Sequence, residues 1–209
     1  MRMNDPSVQE AERLLREAEG LNPGPWAAHS RYTAKAAQCI AERHPGLDPQ
    51  KAYVLGLLHD IGRREGRSHL KHVVDGYHFL RDLGYPDCAR ISLTHSFAVP
   101  DLDAYVGEHD CTPGEMDFLK KFLASIQPDE YDVLILFCDG IALPSGFCLM
   151  EKRFVDVALR LGINGKTVPS WRARFGIKEH LESVIGCSIY RILPGVVETT
   201  FGTDLKCAS

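Results

Sequence analysis

Two residues near the end of an apolar run, His59 and Asp60 in YVLGLLHDIGR, offer an imidazole and a carboxylate from adjacent positions. On a helix they would leave the axis about 100° apart, so both could approach one cation from different directions. A buried His paired with a neighbouring Asp also occurs as plain structure, and the doublet alone does not choose between the two. A second carboxylate, Asp139, stands inside VLILFCDGIAL. An ionised carboxylate among aliphatic side chains needs a proton, an ion pair or a metal, because burying it bare costs several kcal/mol or more. His29 shares the inward stripe of its segment with Trp26, Thr33 and Ala36. By itself it could be a satisfied core histidine. Together the four form a His, His, Asp, Asp set that suits a borderline-to-hard divalent ion, with iron and manganese foremost and cobalt, nickel or magnesium also compatible.

The ordered set, an early His, the HD doublet in LLHDIGR and a later Asp, resembles the HD superfamily of metal-dependent phosphohydrolases over about residues 26 to 145. The resemblance implies an all-α bundle and a metal site built on His29, His59, Asp60 and Asp139, with Asp60 and His59 at the catalytic heart. It also implies two further ligands of the superfamily's binuclear branch, His72 in HVVDGYHFLRDLG and His95 at the end of ARISLTHS. One ion or two are then expected, with Asp60 bridging a pair. His69 and His78 lie near the same helix and are read as surface or hydrogen-bonding groups; His44, His109 and His180 are expected to be solvated.

The chemistry implied is hydrolysis of a phosphomonoester, phosphodiester or nucleotide by a hydroxide formed on the metal, since coordination brings the pKa of water down to about 7. The basic stretch after the doublet, Arg63, Arg64, Arg67 and Lys71, is the candidate anion clamp for a small phosphorylated substrate, because guanidinium groups bind phosphate in bidentate fashion. Lys35 is a weaker candidate. Two rivals stand beside the hydrolase: a di-iron oxygenase acting on a small, phosphorus-containing substrate, which would use the same ligands, and a non-catalytic nucleotide-binding module.

These side chains need elements to hold them, and apolar spacing predicts helices over about 6–19, 26–44, 48–62, 69–83, 87–97, 114–126, 129–143, 150–161 and 169–186. Asp48 followed by Pro49 is an N-cap with proline at the first helical position. A short extended piece is expected in IYRILPGVVETTF. The implied organisation is one domain, with an N-terminal helical segment over 1–24, the core over 25–145 and a helical extension over 146–209. In that extension Trp171, Phe175, Leu181 and Ile185 read as a packing face.

The chain has 209 residues, 44% hydrophobic and 25% charged, ordinary for a folded protein. Its net charge of -4 is the wrong sign for an extended nucleic-acid surface, so anion attraction must be local. No apolar run is long enough for a signal peptide or a membrane span, so the expected compartment is the cytoplasm; a homo-oligomer is compatible with the composition. Seven cysteines without a CxxC pair suggest neither a disulfide framework nor a zinc ribbon.

Overall fold

The computed structural model describes residues 5–202; residues 1–4 and 203–209, with Cys207, lie outside them. The fold is all-α, with helices α1 Val8–Leu21, α2 Pro25–Ala41, α3 Pro49–Leu58, α4 Lys71–Asp82, α5 Pro86–Thr94, α6 Pro113–Ser125, α7 Glu130–Asp139, α8 Met150–Leu161, α9 Thr167–Ile185, α10 Ile189–Ile192 and α11 Val196–Phe201. Between α7 and α8 a two-stranded antiparallel hairpin, β1 Ala142–Leu143 and β2 Gly146–Phe147, pairs Ala142 with Phe147.

The central pair is α2 on α3, and sequence explains their approach. Gly56 of α3 crosses so close to α2 that a Cβ there would lie 2.8 Å from the Ala34 Cα. Ala34, Ala36, Ala37 and Ala41 keep that face of α2 low, and all are buried. Leu55, Leu57 and Leu58 of α3 are fully enclosed, each adding roughly 1.5 to 3 kcal/mol of burial. Helices α1 and α7 cover the pair through Leu14, Leu15, Leu134, Ile135 and Phe137, and Leu181, Ile189, Leu193 and Val196 of the last helices enter the same core. A second cluster, with Leu70, Val73, Val74, Leu93 and Leu119, binds α4 and α5 to α6.

Helix starts follow their caps. The Asp48 carboxylate accepts from the Lys51 amide at 2.8 Å ahead of Pro49. Capping boxes at Thr112/Glu115 and Asp129/Asp132 open α6 and α7.

Three expectations need correction. The helix carrying the HD doublet stops at Leu58, where the chain tightens into a 3-10 turn, Ile61–Glu65, so His59 and Asp60 straddle a junction. The helix ending in Asp139 does not run on to 143; Gly140 ends it and the hairpin follows. The stretch expected to be extended forms α10 and α11, separated by Gly195 at φ 74°. Phe154 stacks on Trp171 at 5.1 Å and meets Phe175 edge-on, so those aromatics do form a packing face. No described helix is long and apolar enough to cross a membrane. Among the described residues the six cysteines are free thiols.

Candidate metal centre

Five elements converge on one point. His29 comes from the inner face of α2, His59 and Asp60 from the junction after α3, His72 from the first turn of α4, His95 from the end of α5 and Asp139 from the end of α7. All but Asp139 are buried; Asp139 opens on a cavity.

The backbone sets the orientation of every imidazole. His29 Nδ1 faces the Ala142 carbonyl at 3.2 Å, His59 Nδ1 the Gly56 carbonyl at 2.7 Å and His95 Nδ1 the Ile91 carbonyl at 3.1 Å. His72 Nδ1 faces the carbonyl of His69. A carbonyl only accepts, so each Nδ1 carries a proton and each Nε2 is turned inward, where the neutral ring presents a lone pair.

What those lone pairs meet is informative. His72 Nε2 lies 3.3 Å from His95 Nε2, and the two lie 3.1 and 3.5 Å from Asp60 Oδ1. His29 Nε2 lies 3.0 Å from Asp139 Oδ1, and His59 Nε2 lies 4.0 Å from that oxygen and 3.9 Å from Asp60 Oδ2. Acceptors thus face acceptors, an arrangement that needs a proton or a cation between them. Protonation is opposed at His59, because burial pushes its pKa down to about 3 although Asp60 pulls it up. His59 Nε2 and Asp60 Oδ1 are buried without a hydrogen-bond partner. Donors about 2.0 to 2.2 Å from a shared ion would stand roughly 3 to 3.6 Å apart at right-angled to tetrahedral openings, and four of these six spacings fall in that range, the two from His59 being longer. The residues therefore fit a divalent cation. Two groupings suit one, His29 with His59 and Asp139, and His59 with Asp60 and His95.

Burial raises the Asp60 carboxyl's pKa, but Arg63 and the flanking imidazoles outweigh it and hold the group well below the usual carboxylate range. Arg63 Nε donates to Asp60 Oδ2 at 2.6 Å. Asp139 is likewise held low by His29 and His59 against its burial.

The centre lies in the wall of a cavity of about 860 Å³. Of the basic residues expected to clamp an anion, Arg63 and Arg67 line it. Arg64 and Lys71 do not, and this corrects the expectation. The Arg64 guanidinium stacks 3.9 Å over the Phe79 ring, and Lys71 turns to Glu115 at 2.8 Å and Asp75 at 3.5 Å. Lys35 is exposed over Tyr32. His69 and His78 stand outside the cluster, His78 beside Phe118. His109 is exposed and His180 pairs with Glu130 at 3.0 Å. His44 was expected in solvent, but its side chain is 7% exposed and packs against Glu130.

Sequence reasoning missed the opposite wall. Arg153, Arg160, Trp171 and Arg174 from α8 and α9 face the cavity, with Trp26 and Tyr105. The only available signal was the aromatic spacing around Trp171.

A neutral His59 has a measurable consequence. Its ordinary value is 6.5, so between 6.5 and the folded value near 3 the unfolded chain binds the extra proton and acid favours unfolding. His72 is lowered in the same sense, by burial first and then by Arg63. In metal-free protein the urea midpoint is expected to fall steadily from pH 6.5 down to the carboxylate range near 3.8. Flat midpoints across that window would contradict neutral buried imidazoles.

No curated protein and no solved structure matches the chain. A family model described as HD domain matches residues 26–115. That span includes His29, His59, Asp60, His72 and His95; Asp139 and the α8–α9 wall lie beyond it. The matched segment carries the HD doublet itself and five of the six clustered side chains, so residues 26–115 of this chain are similar to an HD domain.

Proposed function

We propose that the protein is a metal-dependent phosphohydrolase acting on a small organic phosphoester, nucleotides among the candidates. The observation that supports this reading is the ring of inward Nε2 atoms and carboxylate oxygens 3.0 to 4.0 Å apart, set in the wall of a cavity that also holds arginines. His29, His59, Asp60 and Asp139, with His72 and His95 beside them, would hold one divalent ion or two. Bound ions of this kind supply a nucleophilic water at neutral pH and withdraw charge from a phosphoryl oxygen.

The chain's own residues do the rest. Arg63 fixes the Asp60 carboxylate through Oδ2 and leaves Oδ1 turned to His72 and His95. Arg67, exposed at the cavity rim, can meet an incoming phosphate. Burial pushes the Tyr105 hydroxyl above its usual range, so it keeps its proton and can donate to an anionic substrate. Trp26 and Trp171 supply apolar wall that limits water at the reacting phosphorus.

The test is metal analysis of protein purified without added metal, followed by a phosphoester panel under manganese, iron and cobalt with and without oxygen. Bound transition metal and phosphate release that needs no oxygen are expected. Turnover that consumes oxygen would replace the hydrolase with an oxygenase, and metal-free protein that takes up no divalent ion would end the reading.

A further inference from the structure

The cavity has basic groups on two sides, and the HD segment accounts for one of them. Arg63 and Arg67 belong to the matched residues; Arg153, Arg160 and Arg174 come from α8 and α9, outside them. On that far wall the charges do not balance. Arg153 donates to Asp156 at 3.0 Å, and Arg160 donates to the same Asp156 oxygen at 3.0 Å, so one carboxylate serves two guanidiniums. Arg174 donates to the Leu136 carbonyl at 2.6 Å, and among the described residues no carboxylate forms an ion pair with it. In the cavity wall Arg174 feels the charge of Asp139 and, less strongly, the like charge of Arg153. One carboxylate between Arg153 and Arg160, and a carbonyl as the hydrogen-bond partner of Arg174, leave this wall with an excess of positive charge that an anion can meet.

The metal cluster cannot be that anion's site alone. Its donors are already turned inward from α2, α3, α4, α5 and α7, and 860 Å³ is space for an organic molecule of many atoms, far more than one phosphoryl group. Trp26, Leu143 and Trp171 supply apolar surface in the same cavity. The geometry points to a second anion subsite, built on Arg153 and Arg174, that holds a distal phosphate or carboxylate of the substrate while another phosphoryl group sits at the metal centre. The substrate class is then an organic phosphoester with two separated anionic groups. This rests on the phosphohydrolase reading for the role of the metal centre, while the subsite itself rests on the arginines.

The experiment uses the full chain as purified with its metal, and calorimetric titration with alkane-diol bisphosphates of increasing length against the matching monophosphates. At the best length the bisphosphate is expected to bind at least about tenfold more tightly. Arg153→Gln should remove most of that preference while leaving monophosphate affinity and metal content unchanged, and Arg174→Lys, which keeps the charge but loses the planar fork, should reduce it in part. Should Arg174→Lys fail to fold, Arg153→Gln alone decides. Equal affinity for both series at every length overturns the proposal. So does a loss in Arg153→Gln that is the same for mono- and bisphosphates, since the arginines would then hold the single group at the metal. If the preference depends on Arg153 but no member of the series releases phosphate, the subsite stands and the hydrolase reading falls.

Discussion

Asp60→Ala is expected to abolish metal retention and to lower phosphoester turnover by a factor of about a thousand or more. Asp60 stands at the middle of the cluster, with Oδ1 3.1 and 3.5 Å from His72 and His95 and Oδ2 3.9 Å from His59. Its removal also strands Arg63, whose Nε loses a 2.6 Å partner, so the alanine variant should be destabilised by roughly 3 to 5 kcal/mol, as when a buried ion pair is broken. Low activity in that variant would therefore mix two causes. Asp60→Asn separates them. Its amide can still accept from Arg63 and turn an N–H toward the His72 lone pair, relieving the acceptor-to-acceptor contact that the ion otherwise resolves. Metal-free Asp60→Asn should be at least as stable as the metal-free parent, yet hold no ion and turn over no substrate. Elemental analysis beside urea midpoints reads both, and an asparagine variant with full metal and full turnover would overturn the assignment of Asp60.

The parts of this site that could be read from sequence are those that break a local rule. Asp139 in an aliphatic run, His29 on an alanine-rich inner face and the HD doublet after a leucine run are each polar groups where apolar ones belong, and the structure brings the ligand atoms of His29, His59 and Asp139 within 4.8 Å of one another. His72 and His95 break no such rule and came from family resemblance, although their backbone-locked orientation is plain once the helices are placed. Lys71 was judged by its nearness in sequence to the doublet. One residue before His72 on a helix, it leaves the axis in another direction and meets Glu115 of α6 instead. Arg153 and Arg174 sit in ordinary charged surroundings, and only the packing of α8 and α9 turns them to the cavity. The hairpin strands, two residues each, are too short to show alternation. In the last segment a short extended piece was expected, but Ile189, Leu193 and Val196 gain burial in α10, α11 and the link between them, and tertiary contact overrides propensity.

Gly62 should be the least replaceable glycine in the molecule, and the reason is geometric. A Cβ built there would lie 2.0 Å from the His72 carbonyl oxygen, 2.4 Å from the Gly76 nitrogen and 3.0 Å from the Gly76 Cα. These are backbone atoms of α4, so no rotamer change can make room and the helix itself must move. The glycine of HDIG is thus what lets the 3-10 turn lie directly on α4, and it brings His72 to Asp60. Gly62→Ala is expected to cost about 3 kcal/mol or more, at the upper end of overpacking effects, and to lower metal content by displacing His72. Gly76 gives the internal comparison. A Cβ at Gly76 meets the Ser92 hydroxyl at 2.9 Å, an atom with no hydrogen-bond partner of its own, and the Gly62 nitrogen and Ser92 Cβ, both at 3.2 Å. The Ser92 hydroxyl can rotate away and the two 3.2 Å contacts need a shift of only a few tenths of an ångström, so Gly76→Ala should lose clearly less stability than Gly62→Ala. Urea midpoints and metal content measured on both variants would decide it; equal losses, or a Gly62→Ala protein with the parent's midpoint, would mean that α4 does not rest on the turn as closely as this contact requires.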